Sequence, residues 1–413
     1  MISLATPTVR WLRNINRVAA GSLAILLASC TTIKAPKTLF ITFGADKKSF
    51  KNDTTQIRSF LNKYTEAFQR SNPDTKIVFI TYQSNRFLNQ IARDSDLNLG
   101  PDLVITEQFT TPELLARNLI TPLPDQQYFN KIYSPRIQSK AKTHQGYTFA
   151  PWLIDTQIAC FNNTEIEKPP GTMKELEALS ASGKKIGLAS NYGELIWTAG
   201  TQGAVSELSS LGRANSTDQP YAAVQKWLQW LQRAALYQNI SFHDNSRALS
   251  ARLKKNELDW VTCWGNQLED LKTTMGNSLG VAALPNGTTS KALPIFKIYG
   301  FALGKNSSQT QRTMAMKFIK TNVNDIAERK IQLDDIGYLA ANKNVSIPPE
   351  SSKKLATLNI SFNEQSKSYL EEWPGLEQYV KQNPQLGKTI GDLIDGYLGV
   401  DEALKIITTT PME

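Results

Sequence analysis

The chain has 413 residues, of which 41% are apolar and 9% aromatic, and this composition is typical of a globular protein with two or three domains. Its 46 basic and 37 acidic residues are interspersed, so the formal charge of +9 forms no clustered basic face of the kind that nucleic-acid binding requires. Two histidines far apart and three cysteines without a CxxC spacing indicate no metal site, and no motif indicates a cofactor.

Residues 1–29 have the three parts of an export signal. Three arginines without an acid form the positive part, Val18–Leu27 forms the apolar part, and two small residues follow. The apolar part is much shorter than the roughly 20 residues that a membrane-spanning helix needs. We therefore predict a signal peptide over 1–29.

The sequence Leu-Ala-Ser-Cys that ends at Cys30 resembles the lipobox of bacterial lipoproteins. The resemblance implies that Cys30 becomes the acylated N-terminus, followed by a lipid-anchored tether over 30–37. The protein would then lie in the cell envelope, anchored to the membrane on its periplasmic or outer side. The alternative is an ordinary secretory signal with a chance cysteine.

Short apolar runs alternate with helical patterns in the first third of the chain. The apolar residues from Ile57 to Phe68 fall on one helical face, and helices are also predicted at Arg86–Asp94 and at residues 112–118. Strands are predicted at Thr38–Gly44, Ile77–Tyr82 and Asp102–Thr106. This alternation favours βαβ units and a parallel sheet.

The stretch Tyr147–Asn163 is extended, apolar and longer than a typical strand, so it could connect two lobes. A helix follows the turn at Pro169, with Thr172 as its N-cap and Glu175 placed for a capping box. Further strands are predicted at Lys185–Ser190, Leu258–Trp264, Val281–Pro285 and Lys297–Gly304. Further helices are predicted at Trp197–Leu211, Tyr221–Leu236 and Thr313–Val323, and the chain after Glu350 reads mainly helical.

Cys160 and Cys263 both lie in apolar, strand-like runs. They are either two buried free thiols or one disulfide formed in an oxidising compartment, and the sequence leaves both open. Trp227, Trp230 and Trp260 are predicted to lie in the core, because their spacing follows the apolar pattern.

Seven stretches resemble, in order, those of family 1 extracellular solute-binding proteins, the maltose- and glycerol-phosphate-type receptors of ATP-driven importers. They are GPDLVIT, ELLARNLITPLPD, YTFAPWLIDTQIACFNNTEI, PPGTMKEL, VTCWGN, VAALPNG and IGDLIDGYLGVDEALKII, and they extend over nearly the whole chain after the leader. The chain departs from the family's pattern at Asn118 and Met173, where Gly and Trp are usual, and at Thr262-Cys263.

The resemblance implies an α/β, two-lobed periplasmic-binding-protein type II fold with hinge strands and a C-terminal helical segment. Lobe 1 would comprise residues 38–150 with about 295–345, and lobe 2 residues 151–294 with about 346–413. Cys160 and Cys263 would then lie on neighbouring strands of lobe 2, which favours the disulfide.

A sugar would bind in the cleft between the lobes, beyond the carboxyl ends of the strands, with aromatic rings on its C–H face and carboxylates on its hydroxyls. The candidate ligand-binding residues are Gly44, Glu107, Trp152, Asp155, Tyr192, Trp197, Trp264 and Tyr299. The resemblance favours Trp264 first, followed by Glu107 and Trp197. Core packing is the alternative for each tryptophan.

The implied function is a membrane-anchored, monomeric receptor that captures a carbohydrate or glycoside and delivers it to the permease subunits of an ATP-driven importer. Candidate aromatics outnumber cations, which favours a neutral sugar, although Lys47 and Lys48 leave an anionic ligand open. We expect no enzymatic activity. The alternatives are a lipid-anchored glycoside-processing enzyme, with Asp155 and Glu107 as its acid pair, and a sensory receptor of the same fold.

Overall fold

The computed structural model describes residues 37–45, 61–62, 65–66, 68–212, 221–325, 337–345, 352–363 and 366–409. The predicted signal peptide, Cys30 and most of the helix predicted from Ile57 to Phe68 lie outside these ranges. Within them, no helix combines the length and the apolar character needed to cross a bilayer.

In the N-terminal third of the chain the described strands and helices alternate as the sequence predicts, whereas later several helices follow one another without a strand between them. The strands are β1 Lys37–Ala45, β2 Thr75–Gln83, β3 Leu103–Glu107, β4 Ile120–Thr121, β5 Lys142–Thr143, β6 Gly146–Tyr147, β7 Ala150–Asn162, β8 Ile186–Ala189, β9 Ile240–His243, β10 Trp260–Trp264, β11 Leu279–Ala282, β12 Phe296–Gly304 and β13 Leu339–Ala340.

The helices are distributed along the whole described chain. They are α1 Phe87–Asp96, α2 Thr111–Ala116, α3 Gln126–Ile132, α4 Pro135–Ala141, α5 Met173–Ala181, α6 Tyr192–Leu195, α7 Trp197–Thr201, α8 Ala204–Gly212, α9 Ala222–Leu236, α10 Ser246–Lys254, α11 Leu268–Met275, α12 Gln309–Asp325, α13 Lys353–Asn363, α14 Ser366–Gln382, α15 Leu386–Ile394 and α16 Val400–Thr409.

The long strand β7 joins two lobes. The main sheet has the order β2-β1-β3-β12-β7-β10-β8-β9. The first half of β7 pairs with β12, and its second half pairs with β10, antiparallel in both cases. We call the side with β1, β2, β3 and β12 lobe 1, and the side with β8, β9, β10 and β11 lobe 2. Because all 13 residues of β7 are buried, the crossing runs through the core of the molecule.

Local sequence features explain several of these elements. The side chains Leu39, Ile41 and Phe43 of β1 are all buried, as alternation along a strand requires. The predicted capping box of α5 is confirmed: the Glu175 amide donates to the Thr172 hydroxyl at 3.2 Å, and the Thr172 amide donates to the Glu175 carboxylate at 3.0 Å. The predicted core positions Trp227, Trp230 and Trp260 are buried.

A disulfide joins Cys160 of β7 to Cys263 of β10, with their Cα atoms 5.8 Å apart. The two strands are antiparallel neighbours, and the residues stand diagonally opposite each other in the register. The bond therefore ties the crossing strand to the central strand of lobe 2.

The C-terminal helices pack on lobe 2. Helix α14 crosses α8 so closely that a Cβ on Gly212 would meet the carbonyl oxygen of Gly375. The hydroxyl of Tyr379 donates to the carbonyl of Ile407 at 3.0 Å, which connects α14 to α16. These contacts make α14 part of lobe 2 in its packing.

Candidate functional site

A cavity of about 460 Å³ lies where the crossing strands meet the ends of the lobe 1 strands. Among the described residues, lobe 1 provides most of the wall, and lobe 2 contributes Asn266 and Glu269. The described residues that line it are Phe43, Gly44, Leu61, Ser84, Phe87, Leu88, Ile105, Thr106, Glu107, Thr110, Trp152, Leu153, Asn266, Glu269, Tyr299 and Tyr338. The wall is therefore mainly apolar and aromatic, with a few polar groups at defined positions.

Glu107 ends strand β3 and is held in place by the start of helix α2. Its Oε1 accepts a hydrogen bond from the Thr110 hydroxyl at 2.6 Å, and its Oε2 accepts one from the Phe109 amide at 3.1 Å. These bonds fix the orientation of the carboxylate. Each oxygen keeps a further lone pair, so the group can still accept a bond from a ligand.

Aromatic rings from the crossing strands form the floor of the cavity. Trp152 of β7 packs on Phe301 with a centroid distance of 4.9 Å, and Tyr299 of β12 meets Tyr338 edge-on at 6.0 Å. Burial raises the pKa of Tyr299 and of Tyr338 well above the ordinary value of 10.0. Both phenols are therefore neutral at physiological pH and can donate a hydrogen bond.

Asp155 lies on β7, behind the cavity wall, and is only 1% exposed. Its Oδ1 accepts a hydrogen bond at 3.2 Å from the amide of Asn266, which lines the cavity. Burial raises the pKa of Asp155 from 3.8 to about 7, although the Asn266 amide and the charge of Lys297 act in the opposite direction. The carboxyl therefore supports a ligand-facing residue of lobe 2 from a strand that both lobes share.

Two glycines allow the loop after β10 to touch the segment before β13. A Cβ on Gly265 would meet the carbonyl of Gly337, and a Cβ on Gly337 would meet the carbonyl of Gly265. Gly337 also has φ of +69°, which other residues rarely adopt. The contact fixes the positions of the next residues in each segment, Asn266 and Tyr338.

The structure brings four of the predicted site residues together in the cavity wall: Gly44, Glu107, Trp152 and Tyr299. Asp155 contacts the wall through Asn266. The other three predicted residues do not line the cavity, and their role as ligand contacts stays a prediction.

These three residues lie in packed surroundings. Trp264 is 4% exposed, and the Lys297 Nζ stands 4.8 Å from the centroid of its ring. Trp197 is 0% exposed within α7. Tyr192 packs at α6, where a Cβ on Gly387 would lie 3.0 Å from its ring.

Sequence reasoning missed the lobe 2 residues of the wall, Asn266 and Glu269, together with Tyr338. The motif VTCWGN contains Asn266, so attention to the whole loop rather than to its tryptophan alone would have found it. Tyr338 reaches the cavity through the Gly265–Gly337 contact, for which the sequence carries no local signal. Among the described residues, no group of three or more His, Cys, Asp or Glu could hold a metal ion.

Comparison with known proteins identifies the family. The family described as bacterial extracellular solute-binding protein matches residues 51–321, and the chain belongs to it. Comparison with curated proteins gives no match.

Solved structures show the same fold at low sequence identity. A cyclo/maltodextrin-binding protein complexed with maltotetraose aligns with a TM-score of 0.67 at 13% identity, over 91% of this chain and 98% of that one. The GacH receptor of Streptomyces glaucescens GLA.O aligns at 0.62 and 14%, over 90% and 97%. Maltose-bound MalE3 of T. maritima aligns at 0.62 and 15%, over 90% and 98%. The predicted fold class and family are confirmed, and the chain is a solute-binding protein rather than an enzyme.

Proposed function

We propose that the protein is a receptor that captures a carbohydrate in the cavity at the crossing strands. The observation that carries this proposal is the composition of the wall, in which five aromatic rings stand beside two carboxylates and an amide. Aromatic rings suit the C–H face of a sugar, while carboxylates and amides suit its hydroxyls. The aromatic residues are Phe43, Phe87, Trp152, Tyr299 and Tyr338.

The solved neighbours support an oligosaccharide as the ligand. Their bound molecules are maltotetraose, maltose and, for the GacH receptor, acarbose and an acarbose homolog. The present chain combines the same fold with a cavity of about 460 Å³, which lies within the size range of small-molecule sites. A maltodextrin is therefore the first ligand to test.

Lobe closure is the proposed mechanism of capture. Of the wall residues that the structure describes, only Asn266 and Glu269 come from lobe 2, so a ligand held on lobe 1 gains contacts when lobe 2 approaches. A ligand shifts such an equilibrium only by its preference for the closed arrangement. Closure would present both lobes to the permease of an ATP-driven importer. We also propose that Cys30 is acylated and anchors the monomeric receptor to the membrane in the cell envelope.

Calorimetric titration with maltotetraose tests the binding step. Glu269→Gln should weaken binding by about tenfold, because a charged acceptor is replaced by a neutral one at the wall. Asp270→Asn is the matched control: it lies next to Glu269 on α11 but pairs with Lys254 at 2.6 Å and does not line the cavity. Equal affinity of the two variants would contradict this site. Absence of heat with maltotetraose, maltose and acarbose would overturn the proposal.

A further inference from the structure

Helix α4 presents two cations, Arg136 and Lys140, to the C-terminal helices. It belongs to lobe 1, because the carbonyl oxygen of its last residue, Ala141, accepts a hydrogen bond from the Thr148 amide just before the half of β7 that pairs with β12. The two cations are four residues apart, so they lie on the same helix face. Arg136 is buried, and the side chain of Lys140 is nearly so. Neither residue lines the cavity, and the proposed function leaves both unexplained.

Arg136 is enclosed by two aromatic rings that belong to different elements. Its Cζ lies 4.4 Å from the ring centroid of Phe296, at the start of β12, and 4.1 Å from that of Phe362, near the end of α13. Its Nη1 donates a hydrogen bond to the carbonyl oxygen of Phe362. The guanidinium therefore connects α4 to the crossing strand and to the C-terminal helices at one point.

Lys140 makes a second connection one turn further along α4. Its Nζ lies 3.1 Å from the Glu377 carboxylate and 5.5 Å from the ring centroid of Trp373, both on α14. Helix α14 is fixed to lobe 2 by the backbone contact between Gly212 and Gly375. Lys140 thus links lobe 1 to a helix that packs on lobe 2.

These contacts lie on the side of the crossing strands opposite to the cavity. Successive side chains of a strand point to opposite faces of the sheet. Tyr299 lines the cavity, and Lys297 faces Asp155 in the register. Phe296 therefore points to the opposite face, where Arg136 meets it. A rotation about the crossing strands that narrows the cavity separates the elements on that opposite face.

We infer that Arg136 and Lys140 are positioning residues that hold the two lobes apart and thereby lower the affinity of the cavity for its ligand. Closure must break their contacts with Phe362 and Glu377, so part of the ligand's binding free energy is used for this step. The effect on affinity rests on the proposed function. The effect on the unliganded lobes does not.

Distances between spin labels on the two lobes test the inference without a ligand. The labels are placed at Leu99→Cys in lobe 1 and Leu236→Cys in lobe 2, which are 72% and 81% exposed. The full-length chain carries Cys30→Ser, so that the remaining cysteines, Cys160 and Cys263, are both in the disulfide. Pulsed dipolar electron paramagnetic resonance then gives the distribution of lobe separations.

Arg136→Ala and Lys140→Ala should each shift this distribution towards shorter distances. Arg136→Lys should keep the wild-type distribution, because a cation remains between the two rings. Maltotetraose should bind each alanine variant between about threefold and thirtyfold more tightly, since the closed state is more populated. Lys142→Ala is the matched control: its Nζ lies 5.2 Å from the ring centroid of Tyr147, and both residues belong to lobe 1.

Unchanged or longer distances in folded alanine variants would overturn the inference. If Arg136→Ala fails to fold, Lys140→Ala decides alone, because its ion pair is the less buried of the two connections. A shift of the same size in Lys142→Ala would also overturn it. If maltotetraose binds none of the proteins while the distances shift as expected, the proposed ligand is wrong and the positioning role stands.

Discussion

The buried carboxyl of Asp155 should make the free protein less stable as pH rises. Its pKa is about 7 in the folded protein and 3.8 when the group is exposed to water, and burial is the main cause. Between these values the folded state keeps a proton that the unfolded state releases, so unfolding becomes easier as pH increases. This pKa difference corresponds to about 4 kcal/mol in the free energy of unfolding. The contribution is present below pH 3.8 and is lost above pH 7.

The variant Asp155→Asn removes this titration while keeping an oxygen that accepts the Asn266 amide. Unfolding by urea, followed by tryptophan fluorescence, should give similar free energies for both proteins near pH 4. By pH 8 the variant should be more stable by up to about 4 kcal/mol, because it carries no buried charge. Asp270→Asn, at a side chain that is 65% exposed, is the control and should follow the wild type. Parallel pH curves for Asp155→Asn and the wild type would refute the reasoning.

Three further predictions concern stability. Gly337→Ala should lower the free energy of unfolding in urea by about 2 kcal/mol or more, because φ is positive at this position and the new Cβ meets Gly265. An unchanged free energy would show that the two loops can separate. Loss of the bond between Cys160 and Cys263, which are 103 residues apart, should cost about 2 to 5 kcal/mol, and an unchanged melting temperature after reduction would contradict this. Thr172→Ala should cost about 1 kcal/mol at the capping box, whereas Thr172→Ser should be nearly neutral.

Elements with a strong periodic pattern could be predicted from the sequence. The predicted strand Lys297–Gly304 is observed as Phe296–Gly304, and the predicted helix Tyr221–Leu236 as Ala222–Leu236. Both bury a regular set of apolar side chains, so the pattern reports their packing directly. The long extended stretch predicted from Tyr147 is observed mainly as β7, Ala150–Asn162. Its apolar run is long enough to pair with a strand of each lobe.

Short or tertiary-dependent elements were not predicted. Helices α3 and α4 have seven residues each, too few for a clear period, and the contacts of Arg136 come from residues far away in the sequence. The predicted helix at Trp197–Leu211 is divided into α7 and α8, with Gly203 at a φ of +75° between them. A glycine at a left-handed position ends a helix, and apolar spacing alone does not reveal it.

The sequence predicts candidate site residues at the carboxyl ends of strands. Glu107 is the last residue of a clear strand and lines the cavity, as the position of ligand sites in α/β sheets implies. Trp264 also ends a strand, but its ring packs beneath Lys297 and is almost fully covered. Which face of a strand meets the cavity depends on the register of its neighbours, and one sequence does not determine that register.

The most direct test of the proposed binding site is a crystal structure of the protein grown with maltotetraose. We expect electron density for the sugar in the cavity, with a sugar ring stacked on Tyr299, contacts to Glu107 and Asn266, and the two lobes closer together than in the present structure. Electron density for the sugar at another surface would contradict this site. A cavity without sugar density in crystals grown with maltotetraose would contradict it as well.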